Sequence, residues 1–64
     1  MNAEVIGIKL KLLRGEKSQS EVAEAVGITP SALSMYENGE RIPKDEIKVK
    51  LAEFYQKSVQ EIFY

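Results

Sequence analysis

The chain has 64 residues, a formal net charge of −1, and neither cysteine nor histidine. That length suits one domain, residues 1–64, with a marginal core worth roughly 3–5 kcal/mol. The missing residue types exclude a disulfide, a structural zinc site and the commonest catalytic base, and no apolar run approaches the ~18 residues of a membrane span.

Asn2 is placed to cap a first helix of about Ala3 to Arg14. Its apolar residues include Ile6, Leu10 and Leu13 at i, i+4 and i+7, the face predicted to be buried, while Lys9, Lys11 and Arg14 point elsewhere. Gly15 ends this helix. Ser18, with Glu21 three residues on, makes a capping box that opens a second helix at Gln19. Val22, Ala23 and Val26 give it a narrow apolar stripe, and Gly27 stands where a left-handed residue ends a helix without Cβ strain. Thr29 caps a third helix with Pro30 at its first position, where a missing N–H costs nothing. Ala32, Leu33 and Tyr36 form its inward face, and Asn38-Gly39 stops it. Only Ile28 and Thr29 separate Gly27 from Pro30, so the two helices meet steeply, as in a helix-turn-helix.

Gly39 to Pro43 reads as a loop, and Pro43 is predicted at the first position of a fourth helix that runs to about Gln56. Asp45 and Glu46 suit the positive end of that helix. Ser58 and Glu61 form a second capping box, opening a short last helix that buries Val59, Ile62 and Phe63. With no strand pattern, repeat or low-complexity tract, the fold class is all-α with five helices.

The pattern resembles the Cro/C1-type (XRE family) phage repressors and their bacterial relatives over about Ile6 to Phe63. Ser18-Gln19, Ala23, Gly27, Leu33 and the run Glu37-Asn38-Gly39-Glu40 carry the likeness. It implies a lambda-repressor-like DNA-binding domain with its helix-turn-helix at helices 2 and 3, acting as a transcriptional regulator. In many relatives an arginine stands where this chain has Leu12 and pairs with the acid at the Glu37 position. Leu12 makes no such pair, which leaves Glu37 to meet Lys9 or Arg14, to cap, or to stay in water.

In such a motif the second helix enters the major groove with its N-terminal, outward residues near base edges. Here these are Thr29, Pro30, Ser31, Ser34 and Met35. Ser31 and Ser34 discriminate bases poorly, and Pro30, Ala32 and Met35 offer only apolar contact, such as to a thymine methyl. No Arg, Lys, Asn or Gln lies between Thr29 and Glu37, so bidentate base pairing is absent from this helix, and the same residues also read as a plain solvated face. By resemblance, Gln19 contacts the phosphate backbone and braces the reading helix. The loop carrying Asn38, Arg41 and Lys44 approaches phosphates across the groove. Asn38 serves equally as a helix cap, and Arg41 and Lys44 are the only bases near the motif.

Charge is unevenly spread: +2 over residues 1–20, −4 over 21–40 and +1 over 41–64. A basic footprint, the usual mark of nucleic-acid binding, is therefore absent in bulk. Double-stranded DNA nevertheless remains the first partner, bound by a homodimer whose seam is set on the C-terminal helix, where Tyr64 has little intrachain core to join. The second reading is a protein-interaction module on the same fold, antitoxin-like or an anti-repressor, favoured by the acidic middle third. No catalytic residue, cofactor, metal or small-molecule ligand is expected, and the location expected is cytoplasmic.

Overall fold

Local chemistry sets the helix boundaries, and a small shared core sets the packing. The computed structural model describes all 64 residues and contains α1 (Ala3–Arg14), α2 (Gln19–Val26), α3 (Pro30–Glu37), α4 (Asp45–Tyr55) and α5 (Val59–Phe63). Four helices begin on an extended residue whose side-chain oxygen takes an orphan N–H. Asn2 accepts from Val5, Ser18 from Glu21, Thr29 from Ala32 and Ser58 from Glu61, all at 3.0–3.1 Å. Only the last is a full capping box: Glu61 Oε1 also accepts the Ser58 N–H at 2.9 Å, and that backbone hydrogen bond, aided by the Ser58 side chain, holds the Glu61 carboxyl below its ordinary range. The box expected at Ser18 forms by half, because Glu21 is exposed and its carboxylate gives up little by staying in water.

α4 begins later than the sequence suggested. Its N-cap is Lys44, which is extended (φ −66°, ψ 160°) and whose carbonyl accepts the Lys48 N–H at 2.9 Å, so Pro43 lies ahead of the helix. Pro43 is buried, and packing rather than helix initiation fixes its place.

Three helices end alike. Gly27, Gly39 and Gln56 all have positive φ, and the residue after each donates its N–H back five residues, Ile28 to Ala23, Glu40 to Met35 and Lys57 to Ala52, each at 2.9 Å. Gln56 (φ 57°) is the one residue with a side chain in this conformation.

The core draws on every helix: Ile6 and Leu10 from α1, Val22, Ala23 and Val26 from α2, Leu33 and Tyr36 from α3, Leu51 and Ala52 from α4, Ile62 and Phe63 from α5. Only 15 of 64 residues are buried, so each contact is a large share of a small stability. The closest approach joins α1 to α3. Gly7 sits where a Cβ would fall 2.8 Å from the Tyr36 carbonyl oxygen and closer still to that of Glu37. A glycine inside a helix costs about 1 kcal/mol relative to alanine, and here it admits the end of α3 against α1. No helix is long and apolar enough to cross a membrane.

Candidate nucleic-acid interface

The α2–α3 turn takes its shape from Gly27, whose left-handed backbone (φ 84°, ψ 32°) reverses the chain within Ile28 and Thr29. Ile28 packs against the core, and Leu33 and Tyr36 press α3 inward. The opposite side of α3 is thereby turned outward. Thr29, Pro30 and Ser31 are exposed there, and Ser34 and Met35 are half-exposed. Ser31, Ser34, Met35 and Asn38, at i, i+3, i+4 and i+7, share one face. The Asn38 side-chain amide donates to Ser34 Oγ at 3.3 Å, and the Asn38 N–H donates to the Ser34 carbonyl at 2.9 Å. Asn38 thus caps and joins the outward face at once. The Thr29 hydroxyl is occupied with its capping bond.

Behind this face lies a buried polar network. The Glu37 side chain is fully buried, and Arg14 grips it twice, Nε to Oε2 at 2.7 Å and an Nη to Oε1 at 3.1 Å. Arg14 also donates to the Lys17 carbonyl at 2.6 Å, fixing the α1–α2 connection. Gln19 Nε2 completes the set, donating to Glu37 Oε1 at 2.9 Å. One carboxylate therefore ties α1, α2 and α3 together in a charge-assisted, bidentate geometry. The hydrogen bond to Glu37 raises the Arg14 guanidinium above its ordinary value against the cost of burial. Among the alternatives open to Glu37, Arg14 is the partner. Leu12 points away from α3 into solvent, so the arginine–acid pair implied by the family resemblance is supplied two residues later than position 12.

The residues named for phosphate contact divide into two groups. Gln19 is half-buried with its amide committed to Glu37, so its side chain braces α3 from behind, leaving the backbone at the start of α2 as its outward feature. Arg41 and Lys44 are exposed in the α3–α4 loop, and Lys44 makes no side-chain cap. Of the four acids in residues 21–40, Glu37 is buried and neutralised, so the surface of the motif is less acidic than the residue count implies. The expected dimer residues on α5 are mostly spent within the chain. Ile62 and Phe63 are buried, and the exposed Tyr64 ring lies 5.3 Å from Lys48 Nζ, whose ammonium also meets Asp45 at 3.3 Å. Sequence reasoning missed Gly7 and Lys48. The signal for Gly7 was a glycine set inside an otherwise apolar helical pattern. Lys48 carried none, since burial of its stem depends on where the C-terminal Tyr64 lands.

Comparison with known proteins agrees with this geometry. The profile of the helix-turn-helix family matches residues 3–62. The crystal structure of the clp gene regulator ClgR from C. glutamicum superposes with a TM-score of 0.80 at 27% identity, covering 94% of this chain and 80% of that one. Among curated protein sequences there is no match.

Proposed function

Because the chain belongs to the helix-turn-helix family of the Cro/C1 type, whose domains are DNA-binding transcriptional regulators, we propose that it is a repressor that binds a palindromic operator as a homodimer. One observation carries the reading: α3 presents Ser31, Ser34, Met35 and Asn38 outward while Glu37, on the opposite side, is locked to α1 and α2. A reading helix must be rigid, because base contacts discriminate only if misplacement is costly. Thr29, Pro30, Ser31, Ser34 and Met35 face the bases in this proposal, and Arg41, Lys44, Asn38 and the Gln19 end of α2 face phosphates. The helix start at Gln19 adds backbone N–H groups and a positive dipole end. With few bases engaged, affinity falls at the weak end for specific sites, about 10⁻⁸ M or poorer, and part of the selectivity comes from DNA shape at positions the protein does not touch.

The test is selection from random-sequence DNA at low and moderate salt. Enrichment of a palindrome with half-sites about ten base pairs apart supports the proposal. Loss of all retention at low salt overturns it and favours the second reading, a protein-interaction module. That alternative has its own support in the absence of any Lys or Arg on α3 and in the exposed Glu21, Glu24 and Glu40.

A further inference from the structure

An apolar surface that the proposed function does not use lies on α1, away from the reading helix. Val5 (45% exposed), Ile8 (60%) and Leu12 (76%) form a continuous apolar stripe at i, i+3 and i+7, with Met1 (57%) just ahead of the Asn2 cap at the same end. The opposite side of α1 is already used, since Ile6 and Leu10 are buried in the core and Gly7 abuts α3. In heptad terms the outer stripe follows the alternating four- and three-residue spacing of an a/d seam. Its edge at Leu12 runs into a groove against α5, lined by Leu13 and Ile62.

We infer that this stripe is a self-association surface, on which α1 of a second copy of the chain packs antiparallel about a two-fold axis. The charges flanking the stripe select this occupant. Glu4 and Lys11 lie seven residues apart on one flank, both exposed and neither in an ion pair within the chain. A two-fold axis perpendicular to the paired helices reverses each flank against itself. That reversal sets Glu4 beside the partner's Lys11 and Lys11 beside the partner's Glu4, while Val5 meets the partner's Ile8 in two equivalent central layers. Leu12 then meets the partner's Met1 at either end. A parallel pairing would turn Glu4 toward the other flank, where Lys9 is already tied to the Glu61 carbonyl at 3.1 Å. The helix is held in place by its own core, so pairing adds no cost of helix formation. The seam is short, about 18 Å for a twelve-residue helix, so the dimer dissociates readily.

The test is sedimentation equilibrium of the protein alone over a concentration series, with helical circular dichroism checking the fold of each variant. Wild type is expected to rise from 7.2 kDa toward twice that mass. Ile8→Glu places a charge at the centre of the seam on an exposed position and is expected to weaken association at least about tenfold with helicity unchanged. Glu4→Lys sets Lys against the partner's Lys11 and is expected to weaken it, and adding Lys11→Glu is expected to restore it. A wild type that stays monomeric to about 1 mM overturns the inference, as does association that survives Ile8→Glu or fails to recover in the double exchange. Loss of the dimer in Tyr64→Ser, with Ile8→Glu unaffected, overturns it in favour of a seam at the C-terminal helix. No DNA is present, so failure here leaves DNA binding by α3 standing, although a wild type that stays monomeric would confine any dimer to the operator, and failure of DNA binding leaves the α1 seam standing.

Discussion

Glu37 is held in the interior by its hydrogen-bond partners. A carboxylate removed from water is stable only while its hydrogen bonds are complete, and three donors from Arg14 and Gln19 complete them. Arg14→Ala leaves that charge buried and held by Gln19 alone, at an expected cost of about 3 kcal/mol or more. In a domain this small that approaches the whole stability, so chemical denaturation should show an early, shallow or absent transition. Tyr55 presents the reverse case. Its hydroxyl is buried with no hydrogen-bond partner, and burial together with the nearby Glu37 charge pushes its pKa up to about 12. Between pH 10 and about 12 the unfolded chain has released this proton while the folded chain retains it. Stability therefore falls as pH rises through that window. Tyr55→Phe removes both the unpaired hydroxyl and this contribution. It is expected to match or exceed wild type by up to about 1 kcal/mol at neutral pH, and to flatten the alkaline decline in a pH series of urea melts.

Single elements show how much of the molecule can be read without coordinates. Helix starts were legible because their signals are local: Asn2, Ser18, Thr29 and Ser58 each cap within three residues of chain. Pro43 misled because the same side chain that suits a first helical turn was needed inside, a tertiary demand with no local trace. The outward face of α3 followed from the inward residues Leu33 and Tyr36, but the commitment of Gln19 to Glu37 depends on α1 and α3 meeting at Gly7, which spacing alone does not reveal. Gly7→Ala tests that meeting. The substitution favours an isolated helix by about 1 kcal/mol, yet its methyl group must displace the α3 carbonyls, so net destabilisation is expected in thermal melts. The end of α4 offers the opposite change. Gln56 holds a left-handed backbone that glycine adopts without strain, so Gln56→Gly is expected to stabilise by about 0.5–1 kcal/mol, a rise in melting temperature of roughly 2–8 °C.

For the molecule as a whole, the question is how a chain of net charge −1 holds a polyanion. Burial of Glu37 against Arg14 removes one acid from the surface of the motif, and the exposed bases of the α3–α4 loop stand immediately beyond the reading helix. That pair takes one acid and one base out together and leaves the overall balance unchanged, so in the proposed interface phosphate contact falls to the few exposed bases of the loop. Each phosphate neutralised contributes about 0.9 to the slope of log affinity against log salt, so a small number of contacts gives a shallow slope. Arg41→Ala and Lys44→Ala should each weaken every DNA sequence alike and reduce that slope by about 2, one phosphate contact being lost from each subunit of the proposed dimer. Ser31→Ala, on the outward face of α3, should instead change which sequences are preferred while leaving the slope in place. Affinity titrations of all three variants at several salt concentrations separate these effects. An unchanged slope in both Arg41→Ala and Lys44→Ala would show that the loop does not meet phosphate, and would remove the electrostatic basis on which this acidic chain is proposed to bind DNA.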